Sequence, residues 1–278
     1  TNADLTNAAL TNANFSNAIL TGANLTGVTL TGANLSYITS GSLSGTPTAL
    51  PSGWKLAGGY LLGVNATIDN ADLSGVDLSG VNLTGANFFG TNLTGADLSN
   101  ANLSGASMSN ATITNANFTG ATLTGLISAY LVGTPASLPA NWSVLSGPYQ
   151  NSYVEYLVGP GASIGGAQLS YVSFVGMTLN GIYMPGAHLP GVDFTNAVVT
   201  NANLASANLG QSTFTDANFS GTNFTQVDFT GSDFSGANFT GANFTGARLL
   251  SVRGTNTANF TNAICPDGVK HGKPGANC

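Results

Sequence analysis

Charged side chains are scarce in this sequence. Asp, Glu, Lys and Arg make up only 6% of its 278 residues, against about 25% in an ordinary globular domain. Just five residues are Lys or Arg and the net charge is −6, which argues against nucleic-acid binding, because phosphates are neutralised by clustered basic residues. No apolar run reaches the roughly 18 residues of a membrane span. We therefore expect neither a nucleic-acid partner nor a membrane span.

Groups that carry catalysis are almost missing. The sequence has two His residues, His188 and His271, and a single glutamate, Glu155, so metal or acid–base catalysis is not predicted. Residues 161–165 match the G-x-S-x-G pattern of a hydrolase nucleophile, but a Gly- and Ser-rich sequence produces such matches freely. We expect no enzymatic activity, cofactor, metal or small-molecule substrate, and both histidines are interpreted as surface residues.

Cysteine is confined to one end of the chain. Cys265 and Cys278 are the only two, and a terminal pair predicts a disulfide and an oxidising compartment. The sequence starts at Thr1, inside a repeat, so we expect that a leader was removed. These features predict an extracellular or cell-surface location, or a cytoplasmic one if the cysteines are reduced.

What the sequence has in abundance is a five-residue period. Leu or Phe occupies every fifth position over most of the chain, and Ala usually stands two residues before it, as in Ala3–Leu5 and Ala23–Leu25. This period fits neither a helix nor a strand, so it indicates a repeat architecture. We call the large apolar position of each repeat the centre.

Each repeat places apolar and polar residues at fixed positions. The centre and the residue two before it are predicted to point inward. The Asn or Asp before the centre, the Thr or Ser after it, and the Gly or Asn that follows are predicted to point outward or to form a corner. Four such sides would close a coil of about twenty residues, with coils about 4.8 Å apart. Residues twenty apart should then be neighbours, which predicts a core stack of the centres Phe214, Phe219, Phe224, Phe229, Phe234, Phe239 and Phe244.

The repeats Ala71–Gly75 and Ala237–Gly241 resemble the A-(D/N)-L-x-x motif of the pentapeptide-repeat family. The resemblance covers roughly four-fifths of the chain. It implies an all-β fold, a right-handed quadrilateral β-helix with two inserts and a C-terminal cap, formed as one continuous structural domain. The family is functionally diverse, so its fold does not assign a function.

Two related inserts interrupt the repeats. Gly-Thr-Pro at 45–47 and at 133–135 each precede Leu-Pro and then Trp54 or Trp142, and Pro in these segments predicts loops or short hairpins. The predicted organisation is solenoid block 1 (1–40), insert 1 (41–63), block 2 (64–126), insert 2 (127–161), block 3 (162–264) and a cap (265–278).

The inserts carry the least repetitive aromatic residues. Their side chains either pack the inserts onto the solenoid or form a contact patch for a protein or glycan partner. The candidate interaction surface consists of Trp54, Trp142, Tyr149, Tyr153 and Tyr156.

The expected function is that of a non-enzymatic structural or interaction solenoid, with itself or another surface protein as partner. Self-assembly would run end to end, as a dimer or a fibre. The resemblance also implies a second hypothesis, a DNA mimic acting on type II topoisomerases. A DNA mimic needs a dense acidic stripe, but few aspartates are twenty residues apart and so aligned along the axis; Asp77 and Asp97 are one such pair. A third is ice binding through rows of Thr, or glycan binding at the surface.

Overall fold

The computed structural model describes residues 1–272. The chain divides into two compact units, Thr1–Ala140 and Asn141–Cys278, called here the N-terminal and the C-terminal unit. Strands, isolated bridges and turns make up the described residues, which contain no helix and so no helix able to cross a membrane. The division falls inside the predicted insert 127–161, and the expected single continuous domain stays a prediction.

Where Asn or Asp precedes the centre, all five backbone N–H groups of the repeat can have acceptors. In the repeat 96–100, the N–H groups of Asp97, Leu98 and Asn100 donate to carbonyls of the adjacent coils at 3.0, 2.8 and 2.9 Å. The N–H of Ala96 donates to the carbonyl oxygen of the preceding centre at 2.9 Å. The fifth, the N–H of Ser99, donates to Oδ1 of Asp97 at 2.9 Å. Asn or Asp before the centre therefore supplies the acceptor that the ladder lacks.

Each corner is formed by the residue two after the centre. Its φ is positive throughout, for example 56° at Asn100 and 66° at Gly95. Type II turns need this conformation at their third residue, and Gly and Asn adopt it with the least strain. The Gly or Asn predicted for the corners is thus explained by backbone geometry.

Successive coils pair as parallel ladders with a spacing of twenty residues. Asp77 bridges Asp97, Asn203 bridges Asn223, and the same relation holds along the four sides of the coils. The predicted right-handed quadrilateral β-helix is confirmed.

The core consists of the centres and the small residues two before them. Leu, Ile and Met dominate the centres between Ile68 and Leu123, whereas Phe fills those from Phe214 to Phe244, all of which are fully buried. Rings twenty residues apart are neighbours: Phe224 and Phe244 stack with centroids 5.2 Å apart, whereas Phe214 and Phe234 meet edge to face at 5.3 Å. Such aromatic pairs each add roughly 0.5–1.5 kcal/mol beyond their area burial.

Each predicted insert contains one antiparallel hairpin. In the N-terminal unit β1 (Lys55–Ala57) pairs with β2 (Tyr60–Leu62). In the C-terminal unit β3 (Ser143–Tyr149) pairs with β4 (Ser152–Val158).

The ladder continues further into both inserts than the sequence indicated. Ser44 and Ala49 still bridge the coil before them, as do Val132 and Ser137 in the second insert. The excursion from the coil is therefore shorter than the predicted ranges 41–63 and 127–161.

The register of the ladder slips by one residue after Arg253. Asp233 bridges Arg253 at the usual spacing of twenty, whereas Asn238 bridges Asn259 at twenty-one. Cys265 then lies fully buried at a centre position. Cys278 is outside the described residues, so its pairing with Cys265 and the structure of the full cap stay predictions.

Candidate functional site: a tyrosine cleft beside the second hairpin

The hairpin β3–β4 lies against the first coil of the C-terminal unit. Gly147 approaches the backbone of this coil so closely that a Cβ atom there would overlap the carbonyl oxygen of Gln168. The N–H of Gln168 donates to Oη of Tyr156 at 3.1 Å. A glycine and a tyrosine on the same face of the hairpin thus fix it to the coil.

An open cleft of about 650 Å³ lies between β3 and the next corner of the coil. We call it the tyrosine cleft, because it has one tyrosine from the hairpin and one from the coil. None of its lining residues is charged. They are Val144, Leu145, Ser146, Pro148, Tyr153, Ser170, Tyr171, Val172 and Ser173.

Both tyrosines of the cleft are held in exposed positions. Tyr153 and Tyr171 each retain 74% of their accessible surface. Tyr171 is a corner residue with φ of 61°, where most repeats have Gly or Asn, and such a strained backbone is common at binding sites. A Cβ at Gly191, one coil further on, would lie 2.5 Å from Cδ1 of Tyr171, so this glycine leaves the room that the Tyr171 ring occupies.

The predicted interaction surface is only partly exposed. Tyr153 lines the cleft. The prediction that Tyr156 belongs to this surface is wrong: its side chain is only 4% exposed, because β4 turns it toward the coil. Burial also raises the pKa of the Tyr156 hydroxyl. Tyr149 is half-buried.

The two tryptophans lie half-buried at corresponding places in the two inserts. A Cβ at Gly63 would overlap the ring of Trp54, and a Cβ at Gly159 would overlap the ring of Trp142. Each indole thus packs on the glycine that follows its hairpin. This contact supports the packing interpretation of Trp54 and Trp142 rather than a role in an exposed patch.

Sequence reasoning missed Tyr171, the second tyrosine of the cleft. The signal was present: an aromatic residue at a corner position departs from the Gly or Asn of most repeats. The same coils also carry exposed apolar side chains at other outward positions, namely Val175 and Tyr183.

The acidic residues do not form a continuous stripe. Within residues 1–272 no ladder holds more than two successive aspartates, and Asp77–Asp97 is such a pair. Nζ of Lys55 lies 2.9 Å from Oδ2 of Asp77; hydrogen bonds from Ser79, followed by Lys55, hold the pKa of Asp77 well below its usual range.

Basic residues also follow aspartates in the ladders of the C-terminal unit. Asp228 bridges Arg248 and Asp233 bridges Arg253. Hydrogen bonds from Thr230 and Ser235 lower the pKa of Asp228 and Asp233, and the neighbouring arginines lower it further. Alternation of charges along a ladder is unlike the dense acidic face that a DNA mimic needs.

The Thr rows are occupied by local hydrogen bonds. The Thr84 and Thr240 hydroxyls donate to Oδ1 of the Asn two residues before them at 2.6 Å. These hydroxyl hydrogens are therefore directed along the protein surface, which weakens the case for an ice-binding face.

The residues weighed for catalysis lie apart from one another. Ser163, in the G-x-S-x-G match, is a ladder residue that bridges Tyr183, and His188 is exposed in a different ladder. Among the described residues no three His, Cys, Asp or Glu side chains are grouped closely enough to hold a metal ion.

The family model for pentapeptide repeats matches the chain in eight copies, covering more than half of the 278 residues. The matched segments are 1–36, 64–85, 86–125, 186–216, 193–231 and 212–249. A comparison with curated proteins found no match.

Solved structures similar to this chain are also pentapeptide-repeat proteins. HetL, involved in heterocyst differentiation regulation in the cyanobacterium Nostoc sp. strain PCC 7120, is 22% identical over 97% of this chain and 92% of its own, with a TM-score of 0.38. QnrB1, a plasmid-mediated fluoroquinolone resistance protein, is 19% identical over 66% of this chain and 90% of its own, with a TM-score of 0.25. Rfr23 from the cyanobacterium Cyanothece 51142 is 18% identical over 35% of this chain and 86% of its own, with a TM-score of 0.24.

Proposed function

Because this chain belongs to the pentapeptide-repeat family, whose solenoid presents side chains at fixed spacings, we propose that it is a non-enzymatic interaction protein that binds a partner through the tyrosine cleft. The observation that carries the proposal is the exposure of Tyr153 and Tyr171 at an uncharged cleft. Outward positions elsewhere in the C-terminal unit are mostly Asn, Thr, Ser or Asp. Exposed aromatic residues next to apolar surface are typical of interfaces.

Tyrosine suits such a role physically. Its ring offers a large contact area and loses little conformational freedom on binding, while its hydroxyl remains a hydrogen-bonding group. The lining offers no charged side chain for catalysis or for a charged ligand. This favours an uncharged contact region on the partner.

Site-specific photo-crosslinking tests the proposal. A benzophenone amino acid replaces Tyr153 or Tyr171 in the full chain, and the protein is irradiated in an extract of its own organism. The matched control carries the same group at Asn238, which lies in an Asn ladder away from the hairpin. We expect a discrete crosslinked partner from both cleft positions and none from position 238. Equal crosslinking at all three positions, or none at any, contradicts the proposal.

The self-association and location outside the cell that we expect from the sequence are part of the same proposal. A second copy of the chain is one partner that the crosslinking would identify by its mass. Sedimentation velocity over a range of concentrations measures self-association directly, and a monomer at every concentration contradicts it. Mass spectrometry after alkylation without reduction tests the disulfide between Cys265 and Cys278 on which the location depends.

A further inference from the structure

The tyrosine cleft runs along the edge of a strand rather than across one of its faces. Successive residues of a strand point to opposite faces, yet the neighbours Val144, Leu145 and Ser146 all line the cleft. Residues of both faces can border one cleft only where it follows the strand edge. The cleft is therefore open to the main chain of β3.

Within residues 1–272, β3 pairs only with β4, so its other edge has no neighbouring strand. Tyr149 and Ser152 pair across a two-residue loop, and alternate residues of an antiparallel strand direct their N–H and C=O groups away from the partner strand. Counting back from Tyr149, the residues with outward backbone groups are Pro148, Ser146 and Val144. Among the described residues, these three make no hydrogen bond outside the hairpin.

The opposite wall also presents an unpaired backbone group. In later coils the residue before the centre donates its N–H to the preceding coil, as Asp193 does to the carbonyl of Val172 at 3.2 Å. Ser173 holds the same position in the first coil of the C-terminal unit, and its N–H has no hydrogen-bond partner among residues 1–272. Gln168 is the corresponding residue on the preceding side of the coil, and its N–H donates to Oη of Tyr156.

We propose that the tyrosine cleft binds an extended, uncharged peptide segment of a partner protein, which adds as a strand to the free edge of β3. Strand addition satisfies edge N–H and C=O groups with main-chain hydrogen bonds, while side-chain contacts at alternate positions give specificity. The backbone of Val144 and Ser146 pairs with the peptide, and the N–H of Ser173 is available on the other wall. Tyr153 and Tyr171 contact the peptide side chains. This inference rests on the proposed function and names the chemistry of the partner at the same site.

The absence of charge from the walls supports this occupant. A saccharide would also stack on Tyr153 and Tyr171, but it has no repeating N–H and C=O groups to pair with a strand edge. An extended peptide has both, at the spacing that β3 offers.

A proline substitution separates main-chain pairing from side-chain contact. Ser146→Pro removes an N–H that points into the cleft and places a ring on the free edge, while the pairing of β3 with β4 does not use that N–H. Ser146→Ala is the matched control, because it removes the hydroxyl and keeps the N–H. Circular dichroism and thermal unfolding establish that both variants are folded.

The probe is a random twelve-residue peptide library displayed on phage, selected on the full-length protein. Selected sequences are synthesised and their affinity is measured by fluorescence anisotropy. We expect uncharged, β-prone peptides whose binding weakens at least tenfold with Tyr171→Ala and with Ser146→Pro, and changes less than threefold with Ser146→Ala. Tyr183→Ala, which changes an exposed tyrosine outside the cleft, should leave the affinity unchanged.

A change in the peptide tests the pairing without altering the protein. Methylation of alternate peptide nitrogens on the paired edge removes the hydrogen bonds, so we expect binding to fall at least tenfold, whereas methylation of the other alternate set should have a smaller effect. Selection of no cleft-dependent peptide overturns the inference, as does equal affinity of both methylated forms.

Competition by maltohexaose, a neutral oligosaccharide, also overturns the inference. The experiments distinguish failure of strand addition from failure of the proposed function. Crosslinks at positions 153 and 171 to a glycan or to a folded surface support the proposed function and reject strand addition. Loss of those crosslinks rejects the proposed function itself.

Discussion

Replacing one Asn side chain before a centre should measure how much the stability of the repeat depends on its side-chain acceptor. Oδ1 of Asn238 accepts the N–H of Thr240 at 3.1 Å and its hydroxyl at 2.6 Å, and Nδ2 of Asn238 donates to Oδ1 of Asn218 at 3.2 Å. A hydrogen bond contributes about 0.5–1.5 kcal/mol net, and an N–H left without a partner costs more where water reaches it poorly. Because Thr240 is only half-buried, we expect Asn238→Ala to lower the free energy of unfolding by about 1–2 kcal/mol.

The control is Asn238→Asp, which keeps the Oδ1 acceptor for Thr240 but loses the Nδ2 donor to Asn218, so it should lose less stability than Asn238→Ala. A second Ala substitution at Asn82, whose Oδ1 accepts the N–H of Thr84 at 3.2 Å, lies in the other unit. Distant sites are additive, so the double Ala variant should lose about 2–4 kcal/mol. Urea unfolding followed by circular dichroism measures both shifts. If the Ala and Asp variants unfold at the same urea concentration, the amide acceptor is not what stabilises the repeat.

Three further outcomes follow from the same structure. Phe214→Ala should cost about 3–5 kcal/mol in urea unfolding, since its ring contacts several others; Phe214→Leu should cost clearly less, and equal losses would contradict the aromatic core. Gly147→Ala should detach the hairpin, exposing Tyr156 to faster iodination, because its Cβ would meet the carbonyl oxygen of Gln168. Gly166→Asn introduces a residue that other corners have at the same positive φ, with open space around it, and should leave Tyr156 protected. Stability should fall with acid, because the folded-state pKa of Asp77 is lowered; its contribution is present above the unfolded value near 4 and is lost as the pH falls through the folded-state value. Asp228 and Asp233 behave in the same way, so Asp77→Asn should reduce, and not abolish, the fall of the urea midpoint between pH 4 and 2.

The sequence predicts the coil in detail because every step of the repeat depends on neighbours close in the coil. The apolar centre, the Asx acceptor and the positive-φ corner are each visible in one repeat such as 96–100. The twenty-residue spacing then follows from four sides. It also places Phe224 next to Phe244, although the edge-to-face geometry of Phe214 and Phe234 depends on how the surrounding rings fill the core.

The cleft could not be predicted in the same way. Tyr153 and Tyr156 are three residues apart and so point to opposite faces once β4 is known to be a strand, but the repeat gives no strand boundaries within an insert. The approach of Gly147 to Gln168 decides which face is buried, and it depends on how the hairpin folds back. Tyr171 joins the site only because that contact brings β3 to its corner.

The first hairpin has a consequence for how such chains can change in length. Thr39 bridges Thr67 across 28 residues, and Thr67 then bridges Asn87 at the normal twenty. The eight additional residues leave the later ladders of the N-terminal unit on their original sides, whereas five additional residues within the coil would rotate the later side chains of that unit by a quarter turn. Insertions and deletions in the hairpin β1–β2 should therefore leave the surface pattern of the following coils unchanged. This makes the hairpin a suitable place to graft a foreign segment and the coil itself an unsuitable one.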